Sequence, residues 1–316
     1  MINDSIRLAC FLGKPILRRL PAGRVRVLGW LGGGQGSEAW KQLHEPMRIF
    51  WDADLQAWIQ VDLRDWGGRW HFFTGRYYDQ LLPWIMRRYL RHGDTFVDVG
   101  ANFGIHTLRG ACLVGGRGKV VAIEPSVASR ARLELHMAMN AIGNVTVVPV
   151  AVGGEEGEAV LRVDSSHLGT STLRNDGALG GETSTVSVRT LDSIVEPTSS
   201  DARALIKIDV EGFELEAVRG AERWLHRLNT AFVVEVTPAW ISAGGGDVQE
   251  LFERFGANGY SAYVIRRQRK WYREIPRLER IESPSARQAD YLFVRPGDKA
   301  WVNVLGGVAE RPHATR

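Results

Sequence analysis

The segment Phe96-Val97-Asp98-Val99-Gly100-Ala101-Asn102-Phe103-Gly104 carries most of the information about the fold. An apolar run ends near an aspartate, a glycine-containing turn follows, and a helical pattern then continues to Val114. This order is typical of the strand, turn and helix that open a βαβ unit. Beyond it, apolar strands and helices alternate in units of about 25 residues, which indicates parallel strands joined by right-handed crossovers. We therefore predict an α/β fold with a doubly wound, seven-stranded, mostly parallel sheet.

The predicted sheet has seven strands, and helices connect most of them. A long insertion, Gly153 to Ala202, contains two further strand-like pieces, and the charged stretch Arg266 to Arg287 is predicted to connect the last two strands. The seven strands are 95–99, 120–123, 145–151, 205–209, 232–236, 261–265 and 291–294.

Three parts of the chain differ in character. Residues 1–76 form a predicted N-terminal extension, with a basic helix, two or three short antiparallel strands within 47–73, and a high tryptophan content. This extension is a candidate lid or acceptor platform, although core packing of its aromatic rings is the simpler interpretation. Residues 77–296 are the predicted catalytic domain, with a helix predicted from Tyr77 to Leu90, and residues 297–316 a tail. Seven of the eleven tryptophans lie before residue 90: Trp30, Trp40, Trp51, Trp58, Trp66, Trp70 and Trp84.

Composition excludes several classes of protein. The 40 basic and 36 acidic residues leave a net charge of +4, too small for a dedicated nucleic-acid binder. Two cysteines make no disulfide framework, which favours a reducing compartment and predicts a cytoplasmic location. No apolar run is long enough to predict a transmembrane span. The partly apolar Ile6–Leu20 is interrupted by basic residues, so a surface helix is expected, with contact to a membrane or partner as the alternative.

The turn after the first strand indicates which cofactor binds. Gly100 allows a sharp turn and a close backbone approach to a ligand, and Gly104 allows the helix to pack tightly against the strand. A dinucleotide site needs a third glycine where this chain has Asp98, whose charge would repel a pyrophosphate. The same carboxylate would attract the ammonium group of a methionine moiety. This pattern predicts S-adenosylmethionine, bound by a turn that includes Ala101 and Asn102.

The ends of the next two strands complete the predicted cofactor site. The second strand ends in Glu124-Pro125, and a carboxylate there can accept both ribose hydroxyls of an adenosine. Ala151 and Val152, at the end of the third strand, are expected to border the adenine ring. The alternative is that Asp98 and Glu124 only cap helix N-termini.

The fourth strand is unusual because charged residues recur within an apolar run. Lys207, Asp209 and Glu211 alternate with apolar residues and so share one side of the strand. Buried charges are costly unless they are paired or used, so these three are our candidate catalytic residues. Asp209 or Glu211 would orient an acceptor hydroxyl or remove its proton. Alternatively, Lys207 forms a structural ion pair with Asp209 or Glu235.

Other chemistries remain open at this stage. His106 and His167 are weaker candidates for the base. Three acids could hold a divalent cation, although we assign no metal site. In-line transfer of a methyl group depends mainly on the alignment of acceptor, methyl carbon and sulfur.

These motifs together resemble the FkbM family of S-adenosylmethionine-dependent methyltransferases. The matching blocks are 98–104, 124–125, 190–192, 206–214 and 291–294. The resemblance implies a Rossmann-like class I methyltransferase fold and O-methylation of a hydroxyl on a sugar, glycan or secondary metabolite. It also implies that Asp98, Gly100 and Asn102 lie near the methionine part and that Glu124 holds the ribose.

Two rival functions are weighed against this interpretation. A nicotinamide-dependent oxidoreductase would also have an acid after the second strand. The turn argues against this function, because Asp98 stands where a dinucleotide site needs a glycine. A non-catalytic binding protein could keep the fold without the chemistry. N- or C-methylation is a further variant of the leading hypothesis. The expected partner is a small-molecule or glycan acceptor rather than a nucleic acid, and the oligomeric state is left open.

Overall fold

The computed structural model describes residues 2–20, 23–164, 171–173, 181–196, 202–270, 273–298 and 301. The chain divides into two compact units. The first contains Met1–Gln80, Ala138–Ala141 and Gln268–Ile275, and the second contains Leu81–Met137, Ile142–Arg267 and Pro276–Arg316. The predicted C-terminal tail lies mostly outside the described residues.

The first unit combines helices with one β-hairpin. Its elements are α1 (Ile2–Arg19), α2 (Arg24–Leu28), a π-helical turn (Gly29–Gly33), a 3₁₀ turn (Glu38–Trp40), β1 (Met47–Asp52), β2 (Ala57–Asp62) and α3 (Trp66–Thr74). The predicted basic helix and two of the predicted short strands are present. The end of the predicted strand region is instead helix α3. The Asp65 carboxylate accepts the Gly68 N–H at 2.7 Å, and Gly75 ends the helix in the left-handed region at φ 66°.

The second unit carries the predicted alternation of strands and helices. Its helices are α4 (Leu81–Tyr89), α5 (Ile105–Val114), α6 (Val127–Met139), α7 (Leu191–Ile194), α8 (Glu214–Arg219), α9 (Glu222–His226), α10 (Pro238–Ala243) and α11 (Val248–Ala257). Its strands are β3 (Thr95–Val99), β4 (Lys119–Ile123), β5 (Val145–Val148), β6 (Ala151–Val152), β7 (Gly157–Asp164), β8 (Ser171–Thr172), β9 (Gly181–Arg189), β10 (Ala204–Ile208), β11 (Thr230–Val236), β12 (Ser261–Lys270), β13 (Arg273–Ile281) and β14 (Ala289–Val294).

The main sheet confirms the doubly wound α/β prediction and adds one strand to it. The strand order is β13-β12-β14-β11-β10-β3-β4-β5. Pairing is parallel from β11 to β5, and β14 runs antiparallel to both β11 and β12. The eighth strand is β13, which lies in the charged stretch that was predicted to be a connection. An edge strand tolerates charged residues because water reaches it, so the apolar pattern used for the buried strands misses it.

One predicted strand, 145–151, proves to be two. β5 belongs to the main sheet, whereas β6 pairs with β9 in a separate four-stranded sheet of order β6-β9-β7-β8. Pro149 separates them, and a proline has no N–H to donate within a ladder. The chain therefore leaves one sheet at Pro149 and enters the other.

Apolar side chains cover both faces of the main sheet. Alternate residues of β10 and β11 point to opposite sides, as a strand requires. Ile206 and Phe232 belong to a core with α8, α9 and α11, whereas Leu205 and Val233 belong to a second core with α4 and α5. The sheet is thus a buried layer between helices, and only its strand ends are left to carry polar chemistry.

The helix predicted from Tyr77 begins only at Leu81. Helices α8 and α9 are separated at Gly220, where an added Cβ would lie 2.1 Å from the carbonyl oxygen of Gly153. Within the described residues, no helix has the length and apolar character needed to cross a membrane.

Candidate active site at the carboxyl ends of the central strands

Three neighbouring strands end in acidic residues at one edge of the main sheet. β10 lies between β3 and β11, and Lys207 sits level with Asp98 on one side and Val233 on the other. Asp209 follows β10 directly, and Glu235 lies near the end of β11. In doubly wound sheets, ligands bind beyond this edge.

Lys207 joins two of these acids in a buried network. Its Nζ lies 3.2 Å from Asp98 Oδ1 and 3.3 Å from Asp209 Oδ2, and it donates to the Gly100 carbonyl at 2.7 Å. Burial alone would lower the pKa of Lys207, but the carboxylates of Asp98 and Asp209 raise it above its ordinary value. The ammonium group therefore stays charged and balances two negative charges. The predicted ion pair with Asp209 is present, and its second acid is Asp98 rather than Glu235.

Asp98 has its partners within the protein. Its side chain is fully buried, and its second oxygen accepts the Thr107 hydroxyl at 2.6 Å. The sequence predicts that this charge meets a ligand's ammonium group, whereas in the structure Lys207 neutralises it. A direct contact between Asp98 and a ligand stays a prediction.

The glycines of the first turn allow close packing of the protein on itself. Gly100 has φ 75°, and a Cβ added there would lie 1.9 Å from the carbonyl oxygen of Asp209. Gly100 thus brings the end of β3 against the end of β10. Gly104 was predicted to allow packing against the strand, but an added Cβ would instead meet Leu133 of α6 at 2.1 Å. Between them, Asn102 adopts a left-handed φ of 50°, a strained conformation that clusters at functional sites.

Glu124 is held rigidly at the end of β4. One carboxylate oxygen accepts the N–H of Asn102 and the other accepts the N–H of Ser126, both at 2.8 Å. Burial raises the pKa of Glu124, and the two amides oppose that rise. Arg130 donates to the Glu124 carbonyl at 3.0 Å and to the Pro125 carbonyl at 2.6 Å. The acid thereby fixes the first turn, while it remains at the strand end predicted for the ribose.

A second strained turn follows β10. Glu211 has φ 53°, and its carbonyl accepts the hydroxyl of Thr172 at 2.8 Å. The Oε1 atom of Glu214 accepts the N–H of Gly212 at 3.0 Å and of Val210 at 3.3 Å, which holds the turn from both sides. Burial raises the pKa of Glu214 to about 7. The sequence analysis assigns no role to Glu214. Its position in the first turn of a helix, three residues after Glu211, could have indicated that its carboxylate accepts backbone N–H groups there.

Glu235 is the other site residue that lacked a predicted catalytic role. Its carboxylate accepts a hydrogen bond from the Gln288 side chain, and Asp290 lies opposite it in the β11–β14 register. Repulsion by Asp209, then burial and Asp290, raise the pKa of Glu235 well above its ordinary value. Glu235 is therefore protonated more readily than an ordinary glutamate. A lone glutamate in the otherwise apolar strand Thr230–Val236 was the sequence signal.

Some predicted site residues lie elsewhere. Ala151 and Val152 are buried in the smaller sheet, where they pair with Val188 and Arg189. Their contact with an adenine ring stays a prediction. His106 lies in the first turn of α5, and His167 falls outside the described residues. Within the described part of the chain, no three His, Cys, Asp or Glu side chains are grouped to hold a metal ion.

Comparison with known proteins identifies a family. Residues 98–262, just over half of the chain, match the family model described as the methyltransferase FkbM domain. The hexuronic acid methyltransferase AglP of Haloferax volcanii is 29% identical over 143 residues, which are 44% of this chain and 55% of that protein. The chain therefore spans about half the length of this curated relative.

Solved methyltransferases also match parts of the chain. A crystal structure of methyltransferase FkbM from Methylobacillus flagellatus KT is 16% identical, with a TM-score of 0.39, and covers 72% of this chain and 53% of its own. The S-adenosylmethionine-dependent O-methyltransferase TM0748 of Thermotoga maritima is 14% identical, with a TM-score of 0.32, and covers 66% of this chain and 62% of its own. TM-scores this low carry no information about individual residues.

Proposed function

Because this chain belongs to the FkbM methyltransferase family, we propose that it transfers the methyl group of S-adenosylmethionine to a hydroxyl oxygen of a sugar, glycan or secondary metabolite. Family membership supports methyl transfer. The arrangement of the strand ends supports the proposed donor and acceptor.

The residues at the ends of β3 and β4 suit an adenosine-containing donor. Each carboxylate oxygen of Glu124 accepts one hydrogen bond from a backbone N–H and has a second lone pair. The carboxylate can therefore also accept hydrogen bonds from the two ribose hydroxyls. The strained Asn102 and the turn that contains it would hold the methionine part. Asp98 would contribute indirectly, through the position of Lys207. When bound, S-adenosylmethionine supplies an electrophilic methyl group on a sulfonium.

One observation carries the proposed role of Asp209. Its side chain is 32% exposed, whereas its partner Lys207 and the linked Asp98 are buried. Lys207 fixes one Asp209 oxygen, so the carboxylate is oriented yet accessible to a substrate. An oriented carboxylate can align an acceptor hydroxyl and take its proton as the oxygen attacks. The raised pKa of Glu235, caused first by the charge of Asp209, makes Glu235 the weaker candidate for an ionised base.

Support for a sugar acceptor comes from the relative AglP, which is described as a hexuronic acid methyltransferase. Sugars present several hydroxyl groups, and such groups need a base or an orienting acceptor before they attack. The exposed acid at the end of β10 meets that need.

The donor and acceptor can be tested separately. Calorimetric titration should show binding of S-adenosylhomocysteine and none of NAD; tight NAD binding alone would favour the oxidoreductase alternative. Mass spectrometry of a cell extract incubated with the protein and isotopically labelled S-adenosylmethionine should show label on a hydroxyl oxygen.

Replacing the proposed base provides the matched test. We expect Asp209→Asn to lower kcat by about 100- to 1,000-fold while S-adenosylhomocysteine still binds. Asp247→Asn is the control, because Asp247 caps α11 and asparagine caps helices equally well. Full activity in Asp209→Asn would place proton removal on another group.

A further inference from the structure

Helix α1 presents an apolar stripe to solvent. Leu8, Leu12 and Ile16 are spaced four residues apart on one side and are 58%, 71% and 62% exposed. Cys10 and Leu17 are buried, so the helix is already packed against its unit by another side. A surface helix ordinarily turns polar residues outward, and a contiguous exposed apolar stripe indicates an interaction surface.

The same region holds all of the net positive charge of the chain. Residues 1–31 contain six Lys and Arg and one Asp, a net charge of +5, whereas the remaining residues contain 34 basic and 35 acidic, a net charge of −1. Arg19 and Arg26 are exposed at the end of α1 and within α2. The stripe is therefore part of a locally basic segment rather than of a generally basic protein.

An exposed tryptophan adjoins this segment. Trp30 is 77% exposed, and it lies in the turn Gly29–Gly33. That turn packs on α1, where Cys10 Sγ lies 3.2 Å from the Leu31 carbonyl oxygen. Tryptophan prefers the boundary between water and lipid because its ring is apolar and its N–H is polar.

We propose that α1 docks on an anionic lipid bilayer through its exposed stripe Leu8, Leu12 and Ile16, with the exposed Trp30, Arg19 and Arg26 as further contacts. The combination of apolar stripe, tryptophan and clustered basic charge is that of a helix lying in the membrane interface. Charge complementarity selects this occupant, because phospholipid headgroups of an anionic bilayer attract the +5 segment. No described helix can span a bilayer, so the contact is a surface attachment.

Vesicle flotation with the full-length protein tests this inference. We expect the protein to float with vesicles of phosphatidylcholine and phosphatidylglycerol, and to float much less with phosphatidylcholine alone. Leu12→Glu with Ile16→Glu should weaken binding at least about 10-fold, because two inserted side chains become charged. Arg19→Gln with Arg26→Gln should weaken it about 30-fold, and added salt should mimic that loss.

A matched control separates membrane binding from general surface change. Leu228 is similarly exposed but lies in the second unit, so Leu228→Glu should bind vesicles as the wild type does. Circular dichroism and the thermal midpoint establish that each variant folds. Absence of vesicle binding by the wild type, or equal binding by the Leu12 and Ile16 double variant, would overturn the inference. If light scattering shows that this double variant converts a dimer to a monomer, the stripe is instead an interface between two copies.

Discussion

The acids at the end of β3 and β4 differ from those at the end of β10 and β11. Asp98 and Glu124 are buried, and each is held by protein groups: Lys207 and Thr107 for one, two backbone amides for the other. Asp209 is partly exposed, and its charge raises the pKa of Glu235 beside it. We propose that the first pair shapes the cofactor end of the site and that the second pair acts on the acceptor.

This contrast shows what spacing along a sequence leaves out. All four acids end strands of one sheet, and all four are compatible with ligand binding by position. Their burial and their partners distinguish acids that the protein itself holds from an acid that water reaches. The following substitutions test that division.

The largest expected effect is on the buried network. Lys207→Met leaves the Asp98 carboxylate buried without a compensating charge, so we expect the free energy of unfolding to fall by about 3–5 kcal/mol. Urea denaturation measures this loss. Asp209→Asn should cost less than about 1 kcal/mol in the same assay, because water reaches that side chain.

Lys41→Met provides the control for the loss of a lysine. Lys41 Nζ pairs with Glu38 at 2.7 Å on the surface, where such pairs contribute about 0–1 kcal/mol. If Lys207→Met proves as mild as this control, the network does not stabilise the fold and the division between the two pairs of acids fails.

A pH-dependent effect is expected from Glu214. Its pKa is raised from 4.5 to about 7, so the folded state binds this proton more tightly than the unfolded state. The contribution of Glu214 to the free energy of unfolding should therefore be fully present below pH 4.5. It should be lost as the pH rises through about 7. The loss is about 3 kcal/mol at most.

Glu214→Gln should remove this contribution. The glutamine Oε1 atom can still accept the N–H groups of Val210 and Gly212, but the side chain has no proton to lose. Thermal midpoints measured from acid to neutral pH should fall less steeply for Glu214→Gln than for the wild type. Glu216→Gln, on the same helix and partly exposed, should retain the wild-type slope. Parallel curves for wild type and Glu214→Gln would contradict the buried titration.

The smallest expected effect concerns the cofactor end. Glu124→Gln puts an NH₂ group against one of two backbone N–H donors and removes the charge that would bind the ribose. We expect the Kd for S-adenosylhomocysteine to rise about 10-fold, as measured by calorimetry. Glu134→Gln, at an exposed position of α6, should bind as the wild type does. An unchanged Kd for Glu124→Gln would limit Glu124 to its role in the turn.

The sequence predicted the alternating architecture because buried strands must be apolar. β3, β4, β10 and β11 were each placed to within about two residues. The ion pair of Lys207 with Asp209 is also a sequence prediction, because the two residues share one side of the fourth strand.

Other features depend on contacts that no local pattern contains. α3 was taken for a strand because its aromatic residues have no clear helical period, although Asp65 and Gly75 mark its ends. β13 is too charged to look buried, and the pairing of Lys207 with Asp98 depends on the register of two strands far apart in sequence. Gly100 was assigned to ligand approach, yet what it approaches is the Asp209 carbonyl, which only the assembled sheet reveals.

The placement of β14 between β11 and β12 has a consequence for biosynthesis. Both neighbours of this strand precede it in the chain, so each has one edge with open N–H and C=O groups until Ala289–Val294 arrives. Such edges readily pair with other chains. A nascent polypeptide that stalls before residue 289 would thus expose two unpaired strand edges at once. We expect the nascent chain to need chaperones most when the ribosome pauses before residue 289.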